Sequence, residues 1–326
     1  MKLKGTLRKV VLFLVFPLAT FGLMIAGAFW LPDSWGFWVV FAVPLALIAA
    51  LVLMHGFTLP EDYIARWTKS HGITITHENR QVLRRYLLHG RRIRSVGALS
   101  GYLGYTAYTM YTANELPFGW LAATFGGYML GAAAAEAWAL RLQPGPVRAA
   151  ALVPRKMTDY VPRYAVVGLR LVPLVTLLIT VAWPLIPKRH DFDLFETVSA
   201  SSRPHLDAVI GWTIASAVIF LLIEVTARRV VNRPQPAASE ELVIVDDAIR
   251  STSLHCLSGA GLALLLGALA RNLSELQLFF GPNWFRGLAI ALTIFAGVAC
   301  PFAWLHLGID QPWVVRRSRR TEPVAA

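Results

Sequence analysis

Three ionisable side chains, Glu136, Arg170 and Glu224, lie within long apolar stretches of this 326-residue sequence. A charge at membrane depth is costly, so it marks either an ion pair or a functional group. All three fall near the helix ends that we predict below to be cytoplasmic. Glu224 also has Arg228 at the favourable helical spacing of four residues. We expect structural pairing, of Arg170 with Glu136 or with Glu224, and the functional alternative is a gate on the cytoplasmic side.

A second set of candidates is a hydroxyl-bearing stripe in the third apolar stretch, formed by Tyr102, Tyr105, Thr109 and Thr112. At about 100° per residue these side chains share one helix face, and in a dry environment each hydroxyl needs a hydrogen-bond partner. Helix-to-helix bonds would provide such partners. The alternative is a candidate pocket for a small amphipathic or lipid-like ligand. The adjoining stripe predicts a close packing seam and consists of Gly97, Gly101, Gly104 and Tyr108.

Motifs for metal, nucleotide or cofactor binding are absent from the sequence, and we predict no catalytic, metal-binding or cofactor-binding residue. His255 and His306 could approach each other at one end of their segments, but two histidines are weak evidence for a metal. Cys256 and Cys300 fall within apolar stretches, where small buried residues are expected. Without a GxxxxGK[ST] loop, any ATPase must be a separate subunit.

One comparison with a known family fails. Phe302 and His306 fit the FxxxH motif of the intramembrane glutamic proteases. Those enzymes also need a paired-glutamate motif, EExxxR, and no arginine follows Glu240 and Glu241 at that spacing. The sequence therefore identifies no family.

The elements that must position these residues are eight apolar segments, each long enough to cross a hydrocarbon core of about 30 Å. Apolar residues make up 56% of the chain and charged residues only 15%, which is typical of an all-α, polytopic integral membrane protein. The first segment is too long for a cleaved signal peptide, so we interpret it as a retained helix. The predicted spans are 10–31, 36–55, 95–113, 118–140, 164–187, 207–227, 252–270 and 286–307.

The basic residues predict the orientation of these spans. With alternating sides, 25 Lys and Arg fall on one side and five on the other. Because basic loops stay cytoplasmic during insertion, we predict an inner (plasma) membrane protein with both termini in the cytoplasm. The net charge of +12 is then explained by orientation and by contact with anionic lipid heads, and no nucleic-acid partner is expected.

Short matches in a shared order predict an internal repeat. Leu99-Ser100-Gly101 corresponds to Leu257-Ser258-Gly259, and Ala137-Trp138 corresponds to Ala303-Trp304. We predict two parallel four-helix repeats, residues 1–157 with a basic cytoplasmic loop at 56–94, and residues 158–326 with a cytoplasmic loop at 228–250 and a basic tail. An axis along the membrane normal would relate them, with Gly101 near Gly259 and Trp138 near Trp304 after rotation.

The two cytoplasmic loops carry opposite charges. Thr76 predicts the N-cap of a basic helix over 77–89 that Gly90 would end, and Ser239 predicts the N-cap of a shorter acidic helix. Separate amphipathic helices at the membrane surface would account for both. We expect instead that the basic helix packs against the acidic segment 240–247 through its charges.

These patterns favour a transport-related role, as a small carrier or as the membrane subunit of a multicomponent transporter with a separate ATPase. Parallel repeats occur in transporters, although a fold alone does not establish an activity. An accessory or scaffold protein that recruits a cytoplasmic partner is the alternative, and a lipid-modifying enzyme has the least support. We do not expect an enzyme.

Overall fold

A computed structural model describes residues 59–112, 119–139, 148–149, 155–182, 206–233, 235–236, 240–277 and 283–308. Within these ranges the chain is almost entirely helical. One 3-10 turn covers Met157–Asp159, and Arg148–Ala149 pairs antiparallel with Gln235–Pro236. The α-helices are α1 (Glu61–His71), α2 (His77–Thr112), α3 (Gly119–Ala139), α4 (Arg163–Ala182), α5 (Leu206–Asn232), α6 (Glu240–Gln277) and α7 (Asn283–Leu307).

Four of these helices, α4 to α7, are long and apolar enough to cross a membrane. They indicate a membrane-embedded, all-helical protein, and they coincide with the last four predicted spans. The third and fourth predicted spans also fall on helices, α2 and α3. The first two, 10–31 and 36–55, lie outside the described residues, so the count of eight stays a prediction.

Helix α2 begins where the sequence predicts and ends much later. The Thr76 amide donates to Asn79 Oδ1 at 2.9 Å, and the Asn79 amide donates to Thr76 Oγ1 at 3.5 Å, which caps the first turn. The predicted end at Gly90 is wrong, because α2 is 36 residues long and continues to Thr112. A glycine inside a helix costs only about 1 kcal/mol, and packing on both sides of Gly90 outweighs that cost.

Helix α6 is likewise one continuous element. Its 38 residues combine the predicted acidic helix and the seventh predicted span, whereas Ser239, the predicted cap, lies outside the described residues. It contacts α2, α3, α4, α5 and α7. In the apolar stretch of α6 that is long enough to cross a membrane, 67% of the residues are buried, against 17 to 28% in α4, α5 and α7. Helix α6 is therefore the central helix of the described bundle.

Glycines hold α2 and α3 at very short range. A Cβ built at Gly97 would lie 2.4 Å from the Gly127 carbonyl oxygen, and one at Gly101 would lie 2.1 Å from the Ala123 carbonyl oxygen. Only residues without a side chain permit this approach, so the predicted seam is confirmed at these two positions. Gly104, predicted to belong to it, faces open space.

Helices α6 and α7 also approach closely, but at positions that do not correspond to those of the α2–α3 contact. A Cβ at Gly259 would lie 2.7 Å from the Gly308 amide nitrogen, near the end of α7. Gly101, its predicted equivalent, faces Ala123 and Gly127 instead. Superposing Gly101 on Gly259 would therefore not bring Trp138 onto Trp304. The contacts do not follow the predicted equivalences, and the duplication stays a prediction.

Helix α1 closes one end of the bundle, which we call the α1 end. Ile64 and Trp67 share an apolar cluster with Leu83 and Leu87 of α2, and the α6 side chains that complete it are Val245, Ala248 and Ile249. The predicted contact between the basic and acidic segments thus forms, but it is apolar.

The charges predicted to hold that contact lie elsewhere. Arg84 and Arg85 are exposed, whereas Asp246 pairs with Arg233 and with Arg250. Asp247 lies 3.8 Å from Arg155. The predicted electrostatic cause of the contact is therefore wrong for Asp246 and Asp247, because both acids are paired with arginines outside the basic helix.

Candidate functional site

A buried polar network forms around Glu136 where α2, α3 and α6 meet. The Glu136 side chain is only 1% exposed. Its carboxylate accepts hydrogen bonds from the Ser253 hydroxyl at 2.6 Å and from the Tyr86 hydroxyl at 3.1 Å. Arg94 donates from Nη2 to the other carboxylate oxygen at 3.3 Å. The charge is therefore compensated by donors on two neighbouring helices, as a buried carboxylate requires.

Arg94 extends the network to α7. Its Nη2 also donates to the Cys256 sulfur at 3.1 Å, and its guanidinium carbon lies 5.7 Å from the ring centroid of Trp304. Tyr128 meets the same indole edge-on, at a centroid distance of 5.6 Å. A guanidinium over a tryptophan face gains a cation–π attraction, so one arginine joins an acid, a thiol and an aromatic ring.

Helix geometry explains why these side chains meet. Tyr86 and Arg94 are eight residues apart on α2, close to two turns, and therefore share a face. Ser253 and Cys256 are three apart on α6, which puts them on one face as well. Glu136 lies between these faces near the end of α3, five residues after Gly131, where a Cβ would lie 2.6 Å from the Ile93 carbonyl oxygen of α2.

The protonation of the hydrogen-bond donor Tyr86 is secured by its surroundings. Burial, and then the negative charge of Glu136, raise the pKa of Tyr86 well above its ordinary value. The phenol therefore stays protonated at any physiological pH and acts as a donor. Nearby on α2, burial lowers the pKa of His89, which favours a neutral ring beside Trp138, at a centroid distance of 6.4 Å.

The other two predicted intramembrane charges form a pair of their own. Arg170 Nη2 lies 3.4 Å from Glu224 Oε1, and Arg228 donates to the same oxygen at 2.9 Å. This is one of the two pairings expected from the sequence. Glu136 pairs with Arg94 instead, so the structure separates the three predicted charges into two sites.

The members of the predicted hydroxyl stripe differ in their surroundings. Tyr102 is buried beside Leu99 and Trp120, and the Thr109 hydroxyl donates to the Thr106 carbonyl at 2.9 Å. Tyr105 is partly exposed, and the side chain of Thr112 lies outside the described residues. The Thr109 bond lies within its own helix, and the candidate pocket stays a prediction.

Two histidines near the α1 end form hydrogen bonds with hydroxyl groups of neighbouring helices. His306 Nε2 lies 2.8 Å from the Tyr164 hydroxyl, and His71 Nε2 lies 3.2 Å from the Thr252 hydroxyl. His255 is buried. Among the described residues no group of three His, Cys, Asp or Glu side chains is placed to hold a metal ion.

Sequence reasoning identified Glu136 and missed its partners Tyr86, Arg94 and Ser253. One signal was available. Arg94 stands directly before the third predicted span and Glu136 stands near the end of the fourth, so antiparallel helices place both at the same depth. Comparison with protein-family models, with curated proteins and with solved structures finds no match to this chain.

Proposed function

We propose that this chain has a transport-related role, as a small carrier or as the membrane subunit of a multicomponent transporter, and that the Glu136 network is its cytoplasmic gate. The supporting observation is the Glu136 carboxylate, 1% exposed and bound by side chains of α2 and α6. A buried ionisable group at membrane depth is a functional candidate by default.

The position of the network supports a gate. Helices α2 and α3 belong to the first proposed repeat and α6 belongs to the second, so opening the network separates the two. A charge network has distinct made and broken arrangements, which is what a two-state element needs. Arg94 also has alternative partners in Cys256 and Trp304, so it need not be left without a contact when Glu136 moves.

The proposal includes the topology predicted from charge: eight spans in two parallel repeats, with both termini on the cytoplasmic side of an inner membrane. Single cysteines at positions 193 and 275 should react with an impermeant reagent added outside intact cells. Cysteines at 85 and 318 should not. Reaction at 85 from outside would overturn the orientation.

The gate is tested by the accessibility of the central helix. In a background with Cys256→Ser and Cys300→Ala, the reporter is Ala260→Cys, a fully buried position one turn from Cys256. We expect Glu136→Gln to raise the rate of labelling from the cytoplasmic side at least tenfold in inverted vesicles. An unchanged rate would contradict the gate.

Two controls separate gating from general loosening. Leu178→Cys, on the exposed face of α4, should stay unreactive in lipid in either background. Arg250→Gln perturbs a different buried cluster, that of Asp246 on the same helix and Arg233, and should leave the labelling of Ala260→Cys unchanged if the effect of Glu136→Gln is specific.

Transport itself is tested without knowledge of the substrate. Three preparations of inverted vesicles are compared: one with the wild-type protein, one with Glu136→Gln and one without the protein. Each is incubated with a total small-molecule extract of the host, and the retained solutes are identified by mass spectrometry. A solute that changes only with the wild-type protein supports transport. Identical pools in all three, with and without ATP and the host's soluble proteins, would contradict it.

A scaffold that recruits a cytoplasmic partner is the second candidate, and the α1 end supports it. Helix α1 is fixed there by Ile64 and Trp67, beside exposed Arg84, Arg85 and Arg92. If this is the function, reversing these three charges abolishes the cellular phenotype and Glu136→Gln does not. The opposite pattern favours the gate.

A further inference from the structure

A second buried polar cluster joins α4, α5 and α6 at the end of the bundle opposite α1. Thr180 Oγ1 and Thr213 Oγ1 are 2.5 Å apart, and Asn272 Nδ2 lies 3.2 Å from Thr213 Oγ1 and 3.4 Å from Thr180 Oγ1. Asn272 is completely buried. On α6 it is 19 residues from Ser253, or about 28 Å along the helix, so this cluster is separate from the Glu136 network.

Each threonine hydroxyl also makes a hydrogen bond within its own helix. Thr180 donates to the Thr176 carbonyl at 3.1 Å, and Thr213 donates to the Val209 carbonyl at 3.0 Å. The 2.5 Å contact between the two hydroxyls is itself a hydrogen bond in which either can be the donor, so one hydroxyl shares its hydrogen between that bond and its carbonyl. Each oxygen still has lone pairs that can accept from Asn272 or bind a cation.

Two further oxygens in this region lack partners. Asn272 Oδ1 and, one turn from Thr213 on α5, Ser216 Oγ are buried without a hydrogen bond to any described residue. An unsatisfied buried polar atom costs about 1–3 kcal/mol, and it calls for a ligand or for another arrangement of the amide. A half-turn of the Asn272 amide would exchange its nitrogen for its oxygen and direct three oxygens at one point.

We propose that Asn272, Thr180 and Thr213 form a binding site for a dehydrated sodium ion, with Ser216 as a further oxygen ligand. Hard cations take oxygen ligands, and hydroxyl and amide oxygens can replace a hydration shell within a membrane. The compact grouping of these side chains on three packed helices favours a small ion, since ion selectivity depends on cavity size. The ligands are neutral, and Glu275 nearby is already paired with Arg271 at 3.0 Å, so a single positive charge fits better than two.

The site has two states in this proposal. Without the ion the Asn272 amide nitrogen donates to both threonines, which is the arrangement in the structure. With the ion the amide turns and its oxygen joins theirs. In a carrier, sodium binding at this site would couple sodium movement to substrate transport. That use rests on the proposed function, whereas the binding does not, so failure of one leaves the other standing.

The test is binding of radioactive sodium to the purified full-length protein in detergent, together with thermal unfolding in sodium, potassium or N-methylglucamine chloride at equal ionic strength. We expect one saturable sodium site per chain. The unfolding midpoint should rise by about 5 °C in saturating sodium relative to potassium, as linkage requires of a ligand that binds the folded state.

Variants identify the ligands. Thr213→Val has nearly the same shape and loses one oxygen, so sodium affinity should fall at least tenfold. Thr124→Val is the matched control, because Thr124 on α3 makes the same bond to a backbone carbonyl four residues earlier, and its affinity should equal that of the wild type. Asn272→Asp adds a negative charge and should raise the affinity.

Some outcomes overturn the proposal. Equal midpoints in the three salts, with no saturable sodium, would mean that the cluster is a hydrogen-bonded helix contact only. Sodium binding that Thr213→Val leaves unchanged would place the ion elsewhere. Because Thr213→Val and Asn272→Asp preserve side-chain volume, the proposal does not depend on a variant that fails to fold.

Discussion

The Ser253 hydroxyl lies 2.6 Å from a carboxylate oxygen of Glu136, and this bond joins the central helix α6 to α3. Ser253 precedes Cys256 by about one turn, and Cys256 receives the other hydrogen bond of Arg94 Nη2. The acid and its arginine are thus both held by α6. The network therefore ties the α2–α3 pair to the central helix through polar bonds rather than through packing alone.

Replacing Glu136 with Gln should destabilise the protein strongly. Gln removes the charge that balances Arg94, whose side chain is only 17% exposed, and breaking a buried pair costs about 3–5 kcal/mol. The measurement is the free energy of unfolding in mixed micelles. Arg80→Gln is the control, because Arg80 is 56% exposed where it pairs with Glu61 outside the predicted spans, and loss of a solvent-exposed pair costs about 0–1 kcal/mol. Equal losses in the two variants would contradict a buried, coupled network.

Adjacent glycines on α3 should respond oppositely to alanine. A Cβ at Gly127 would lie 2.3 Å from the Gly97 carbonyl oxygen, whereas one at Gly126 meets nothing within 4 Å. Gly127→Ala forces α2 and α3 apart, and overpacking costs about 1–3 kcal/mol or more. Gly126→Ala should be neutral or stabilising by about 0.4–1 kcal/mol, since it restricts the unfolded chain. Thermal unfolding of both variants checks this, and equal midpoints would show that the seam is not tight.

The parts of this architecture that are local in sequence were predictable. The Glu224–Arg228 pair follows from a spacing of four, and the seam at Gly97 and Gly101 follows from small residues one turn apart. The Arg94–Glu136 pair was missed because it depends on the register of two antiparallel helices. The composition of each helix does not specify that register.

The end predicted for α2 at Gly90 failed for a related reason. Glycine lowers helix propensity by about 1 kcal/mol. Packing of Leu83 before Gly90, together with the contact of Gly97 and Gly101 with α3 after it, outweighs this cost. Such tertiary contacts are invisible in a pattern that is examined one segment at a time. Asp246 shows the same limit. Its partner Arg250 is four residues away on the same helix and can be predicted from that spacing, whereas its partner Arg233 on another segment cannot.

Replacing Arg250 should unravel the end of α5. Its side chain is completely buried, and Nη1 donates to the carbonyls of Val230, Val231 and Arg233 at 3.2, 2.8 and 2.9 Å. These carbonyls end α5 and lack partners within the helix. Arg250→Gln leaves these carbonyls without their donor and leaves Asp246 with Arg233 alone, at about 3–5 kcal/mol.

Lysine at position 250 keeps the charge but lacks the planar fork, so Arg250→Lys should recover only part of that stability. Exposed Arg229 on α5 is the control, and Arg229→Gln should change stability by less than about 0.5 kcal/mol. Hydrogen exchange should show faster opening of residues 228–232 in Arg250→Gln alone. Equal protection there in the wild type and in Arg250→Gln would contradict a capping role.

The contact between α2 and α6 at the α1 end should depend on apolar volume rather than on charge. Leu83 is completely buried in the cluster with Val245 and Ile249, so Leu83→Ala should cost about 2–5 kcal/mol. Reversing Arg84 and Arg85 together to Glu should cost less than about 1 kcal/mol, since both are exposed and Asp246 and Asp247 pair elsewhere. Unfolding at low and high salt distinguishes the causes, because screening weakens exposed charge pairs and leaves apolar burial in place. A larger loss in the charge-reversed protein than in Leu83→Ala, relieved by salt, would restore the electrostatic interpretation of this contact.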